Sequence, residues 1–153
     1  MFLMADKWTI RFLRLAREVS TYSKDPSTKV GAVIVRPDKS VLSTGFNGFP
    51  RQMKDVPSFY ENRDEKYARI IHAEMNALIQ AKQSVEGCLL FTWPFPCCER
   101  CAIHLVQAGI KIFTAPIPSK EASERWGTSF ERAAEFLDEM NILSCRVPAK
   151  EIL

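Results

Sequence analysis

Two kinds of hydrophobic spacing alternate along the chain, and together they predict its elements. Over residues 6–23, Trp8, Phe12, Leu15, Ala16 and Val19 recur at helical intervals with Arg11, Arg14, Arg17 and Glu18 between them, which predicts an amphipathic helix. Lys24-Asp25-Pro26-Ser27-Thr28 breaks that pattern. The short, β-branched run over 30–35 then predicts a buried strand, and residues 41–46 return as its hairpin partner after Arg36-Pro37-Asp38-Lys39. Residues 47–69 show no period and predict a long loop, of the kind that is more often functional than idle.

Downstream, the helical and extended patterns take turns. Helices are predicted over 72–82, 98–108 (with Gly109 as its cap) and within 119–140. Strands are predicted over 88–93, 110–115 and 142–147. The order α-β-β-α-β-α-β-α-β implies an α/β protein with a mixed five-stranded sheet between helix layers. No repeat, linker or low-complexity tract interrupts it, so residues 1–153 are expected to form one domain.

Composition narrows the partners. The 21 Lys and Arg against 18 Asp and Glu leave a net charge of +3 without a basic block, which suits a small anionic substrate better than a nucleic-acid duplex. No stable nucleic-acid partner is expected. No apolar run approaches the ~20 residues of a membrane span. Residues 1–7 lack the apolar core of a secretory leader, so a cytoplasmic location is expected. Five cysteines, three of them at 97, 98 and 101, make a poor disulfide framework and a good metal cluster. Cys88 and Cys145 fall in strand-like runs and are expected to pack as small hydrophobes.

The candidate chemistry lies in His72-Ala73-Glu74 and Pro96-Cys97-Cys98-Glu99-Arg100-Cys101. His72, Cys98 and Cys101 can fill three corners of a tetrahedral zinc and leave the fourth for water, as catalytic zinc sites do. A closed structural site would need a fourth protein ligand, and His104, the other histidine, sits awkwardly one turn along from Cys101. Cys98 and Cys101 have the usual zinc spacing, which leaves Cys97 without a role. Both motifs open predicted helices, whose N-terminal partial charge favours thiolates. Glu74, beside the metal but not needed as a ligand, is the candidate general acid/base.

His-x-Glu followed by Pro-Cys-x-x-Cys is an already known signature of zinc-dependent base deaminases. Together with Ser23-Lys24-Asp25-Pro26-Ser27-Thr28-Lys29-Val30-Gly31-Ala32, Gly45-Phe46-Asn47-Gly48-Phe49-Pro50 and His72-Ala73-Glu74-Met75-Asn76-Ala77, it makes the chain resemble the deoxycytidylate deaminases of the cytidine deaminase superfamily. The resemblance runs from the first helix through the fourth strand. It implies a cytidine deaminase-like three-layer α-β-α sandwich and hydrolysis of dCMP to dUMP and ammonia, which supplies thymidylate synthesis. It also implies one catalytic Zn2+ per chain, Glu74 as the catalytic residue, and a homo-oligomer, with the hexamer favoured. Asn47 would contact the sugar and base edge, and Lys24, Ser27, Thr28 and Lys29 would lie near the 5′-phosphate.

Three features depart from that family. The loop Trp93-Pro94-Phe95-Pro96-Cys97 is longer than usual, Cys97 stands where relatives have proline, and Ala115-Pro116-Ile117-Pro118 lacks the tyrosines that many relatives place beside the phosphate. The competing expectations are a deaminase of cytidine, deoxycytidine or a 5-substituted dCMP, a tRNA adenosine deaminase, and a zinc-stabilised interaction module in which Glu74 is idle.

Overall fold

The computed structural model describes residues 5–153, and the first four of the N-terminal residues 1–7 considered above lie outside them. Five strands form one sheet in the order β2-β1-β3-β4-β5: β1 (Gly31–Val35), β2 (Val41–Phe46), β3 (Leu89–Trp93), β4 (Ile112–Pro116) and β5 (Leu143–Val147). Strand β1 is antiparallel to both β2 and β3, whereas β3-β4 and β4-β5 are parallel. The sheet is therefore mixed. Strands β2, β3 and β4 all end at the same edge, where α/β sheets characteristically hold their sites.

Alternation along β1 divides the interior into two cores. Ala32 and Ile34 face one layer, packing with Ala73, Ala77, Ala102, Leu105, Ala133 and Leu137. Val33 and Val35 face the other, against Phe12, Leu13, Ala16, Phe91, Val147 and Ile152. Helix α1 (Lys7–Ser20) covers the second face, and α4 (Ala73–Ala81), α5 (Glu99–Ala108) and α6 (Lys120–Glu139) cover the first. This is the three-layer α-β-α sandwich.

Helix α4 packs unlike its sequence pattern. Its buried residues are Ala73, Glu74, Ala77 and Ala81, whereas Met75 and Leu78 pack against the core from half-buried positions and Ile79 is 59% exposed. Gly45 of β2 explains this, because a Cβ there would lie 2.3 Å from the Ala77 nitrogen and 2.4 Å from the Ala73 carbonyl oxygen. The helix backbone rests directly on the strand, and only alanines fit beneath it. Helix α5 ends as expected, at Gly109 with φ 108°, whose N–H reaches the Leu105 and Val106 carbonyls.

The aperiodic stretch is not all loop. It contains α2 (Pro57–Glu61) and α3 (Arg63–Arg69), neither of which buries a residue. Helices this exposed carry no apolar stripe, and period alone cannot reveal them. Among the described residues, no helix is long and apolar enough to cross a membrane.

Candidate metal centre and substrate pocket

The side chains that could hold a metal ion sit on two helix starts. His72 is the N-cap of α4 and Cys98 the N-cap of α5, both with extended backbone and neither with a side-chain capping bond. A cap position is ordinarily occupied by Ser, Thr, Asp or Asn, whose oxygen turns back to the helix N–H groups. Imidazole and thiol groups leave those N–H groups alone and point outward to a shared position. Cys101 follows one turn into α5, and Glu74 lies in the first turn of α4. The strand directions bring the two helix starts together: α4 follows β2 by way of α2 and α3, α5 follows β3 directly, and both strands finish at the same edge.

The geometry suits zinc. Nδ1 of His72 lies 3.5 Å from Sγ of Cys98 and 3.3 Å from Sγ of Cys101, and the three ligating atoms all fall within 4.8 Å of one another. A tetrahedral zinc with ordinary Zn–N and Zn–S bonds needs ligand separations of roughly 3.5–3.8 Å. The two His72–sulfur separations lie within tenths of an ångström of that range. The Cys98 thiol is drawn down to about 4, first by a hydrogen bond from Cys101 and then, against the cost of burial, by His72. Cys101, as the thiol that gives its proton to that bond, is held up. Hydrogen bonding to Cys98 raises His72 despite burial. The lowering at Cys98 favours the thiolate, the form a metal requires.

Glu74 is 4% exposed, and burial pushes its carboxyl above the ordinary range, opposed by the nearby His72. Cys97 is not one of the three clustered ligand residues; it packs in the core, where it is 4% exposed and burial pushes its thiol well up.

His72, Glu74 and Cys98 line one open pocket with a cavity volume of ≈ 130 Å³. One wall is aromatic: Phe95 packs 5.1 Å from Trp126 and 5.2 Å from Phe130 between ring centroids. Phe95 belongs to the lengthened loop, whose Trp93–Pro94 peptide is cis and whose Thr92 hydroxyl donates to the Phe95 carbonyl at 2.8 Å. The residues that lengthen the loop place this ring in the pocket.

The opposite wall is polar and held by Asp25, which is 1% exposed. One of its oxygens accepts the backbone N–H groups of Ser27 (3.0 Å) and Thr28 (3.2 Å) and the Ser27 hydroxyl (3.1 Å), and the other lies 2.6 Å from Nζ of Lys66. Burial alone would raise this carboxyl, but the Lys66 hydrogen bond and the two N–H donors more than offset it and hold it below 3.8. Asn47 completes the wall: its Oδ1 accepts from the Val30 N–H at 2.9 Å and its Nδ2 donates to the Thr28 carbonyl at 2.8 Å.

Of the substrate-binding residues expected from sequence, Asn47 and Thr28 line this pocket with His72, Glu74 and Cys98. Lys24, Ser27 and Lys29 are not among its lining. Lys24 is 71% exposed and pairs with Asp55 at 2.7 Å, and Lys29 donates to the Ser23 carbonyl. Ser27 turns its hydroxyl to Asp25. Sequence reasoning missed Lys66, Phe95 and Arg125 as lining residues. The aromatic spacing of Trp126 and Phe130 on α6 was the available sign that this helix faces the site.

A zinc-ligand cluster beside a buried glutamate, at the helix-start edge of a three-layer mixed-sheet sandwich, defines the zinc-dependent nucleoside and nucleotide deaminases. The chain belongs to that family: residues 6–115 match the cytidine and deoxycytidylate deaminase zinc-binding region. It is 37% identical over 139 residues to an uncharacterized deaminase in the luxG 3′ region of Aliivibrio fischeri, covering 91% of this chain and 92% of that one. It is 39% identical over 111 residues to the deoxycytidylate deaminase of Mus musculus, covering 69% of this chain but 62% of the mouse protein. A probable deoxycytidylate deaminase of Caenorhabditis elegans is 40% identical over 105 residues, and the match spans 53% of its length. In fold, the chain is similar to the dCMP deaminase of cyanophage S-TIM5 crystallised with dCMP and dUMP, with a TM-score of 0.71 at 22% identity over 95% of this chain and 100% of that one.

Proposed function

We propose that the protein is a zinc-dependent hydrolase that deaminates dCMP to dUMP and ammonia, and that residues 1–153 act as one domain. The observation that carries this reading is the clustering of His72, Cys98 and Cys101 beside one open pocket that His72, Cys98 and the buried Glu74 line. The deoxycytidylate deaminases among the relatives support the choice of substrate.

In this reading His72, Cys98 and Cys101 hold the Zn2+. A zinc ion held in this way supplies Lewis acidity, which makes water a nucleophile near neutral pH. Glu74 takes a proton from the attacking water and delivers it to ring N3, then takes the second proton from the new C4 hydroxyl and passes it to the departing amine, so that water and the cytosine ring yield the uracil ring and ammonia. Burial keeps bulk water from competing for that proton. Phe95 and Trp126 give the pyrimidine an apolar face to rest on, while Asn47 and Thr28 meet its polar edge and sugar. Lys24, Ser27 and Lys29 support the loop that carries Thr28.

The reading extends to a cytoplasmic homo-oligomer, the hexamer being the form favoured by the family resemblance, with a mass measurement in solution as its check. The deciding experiment for function is to incubate the zinc-loaded protein with dCMP, deoxycytidine and cytosine and follow the fall in ultraviolet absorbance. Turnover of dCMP well above the other two is expected. Equal turnover of dCMP and deoxycytidine would overturn the nucleotide assignment.

A further inference from the structure

A nucleotide substrate brings a phosphate, and most cations near this pocket are already engaged. Among the described residues, the ion pairs are Lys24–Asp55, Lys66–Asp25 and Arg69–Glu65. Lys66, the one lysine lining the pocket, is spent on Asp25, and Lys29 is turned to a backbone carbonyl. Arg125 is different. It is exposed, lines the same pocket as His72 and Glu74, and has no ion pair or hydrogen bond among the described residues. Its guanidinium carbon lies 4.2 Å from the centroid of the Trp126 ring. This cation–π contact engages none of the guanidinium N–H donors in a hydrogen bond, and those donors suit a bidentate grip on phosphate. Ser129 follows at i+4 on α6, so the two share a helix face. It also lines the pocket, and its hydroxyl has no hydrogen bond among the described residues.

We infer that Arg125, assisted by Ser129, is the anion-recognising element of this pocket and sets its preference for a 5′-phosphorylated nucleoside over the bare nucleoside. The inference rests on the proposed function and deepens it. Phosphate recognition is thereby assigned to α6, on the aromatic side of the pocket, and not to the Lys24–Lys29 segment.

The test compares the wild type with Arg125→Gln, Arg125→Lys, Ser129→Ala and, as a control, Arg132→Gln, which removes a charge from α6 outside the pocket lining. Two quantities are read: the kcat/KM ratio of dCMP to deoxycytidine, and the calorimetric affinity for dUMP relative to deoxyuridine. Loss of one or two charge-assisted hydrogen bonds predicts a fall of about 10- to 10²-fold in both ratios for Arg125→Gln. Arg125→Lys should recover part of the loss, since an ammonium keeps the charge but not the fork. Ser129→Ala should lower the ratios less, by about 3- to 10-fold. Unchanged ratios in Arg125→Gln, or an equal fall in Arg132→Gln, would overturn the inference. A wild type inactive on dCMP overturns the proposed function, and the inference with it only if dUMP also binds no more tightly than deoxyuridine.

Discussion

The metal end of the pocket and its substrate walls are built by different means. At the metal end every group is delivered by a helix start, and His72, Glu74, Cys98 and Cys101 lie within two short stretches of chain. The walls are assembled from residues far apart in sequence: Asp25 is held by Lys66, Asn47 by the backbone of 28 and 30, and Phe95 by Trp126. The metal end therefore depends on local backbone geometry, and the walls depend on tertiary contacts. Damage to the two should look different.

The largest effect should come from removing a ligand. Cys98→Ala or Cys101→Ala is expected to abolish zinc in elemental analysis and to reduce turnover below detection, while Cys97→Ala keeps both. Loss of the metal in Cys97→Ala with retention in Cys98→Ala would reverse the ligand assignment. Next, Glu74→Gln keeps the shape of the side chain but cannot carry a proton. Zinc content should persist while turnover falls by at least ~10²-fold, the low end for general acid–base catalysis.

The walls should fail in stability more than in metal content. Asp25→Asn leaves Lys66 nearly enclosed, at 12% side-chain exposure, without its counter-charge. A cost of about 2 kcal/mol is expected in denaturant titrations at pH 7, with zinc retained. Because the folded carboxyl lies below its ordinary 3.8, its stabilisation is complete above that value and is lost as pH falls through the folded pKa. The gap between wild type and Asp25→Asn should close over that acidic interval and stay constant above pH ~5. A gap that instead widened on acidification would show that the Lys66 pair is not what holds the wall. The smallest effect is expected at Lys24, whose partnership with Asp55 is mostly solvated: Lys24→Ala should change stability by no more than about 0.5 kcal/mol.

The same contrast governs what the sequence disclosed. The strands and the ligand-bearing helices were legible because their apolar periods and caps are local. Residues 57–69 were not, since α2 and α3 bury nothing. Polar signals did mark them: Pro57 opens α2, and Asn62 caps α3 by accepting the Glu65 N–H at 3.1 Å, with Asp64 and Glu65 in the first turn. The inward face of α4 was hidden for another reason. Gly45, on another element, decides that alanines and not Ile79 turn inward. Lys66 and Arg125 were invisible as pocket residues, because nothing in a charge's own neighbourhood reveals which distant carboxylate or ring it will meet.

The segment between the second strand and the metal histidine is closed on itself. Gly48 and Ile71 exchange both backbone hydrogen bonds, at 3.1 and 2.8 Å, so the chain leaves the sheet edge and returns to it at one point. Doubling the length of a loop whose ends are already fixed costs only ~0.6 kcal/mol in closure entropy. Residues 49–70 can therefore change length at little closure cost, provided that Lys66 keeps its place against Asp25, because that pair ties the segment to the pocket wall.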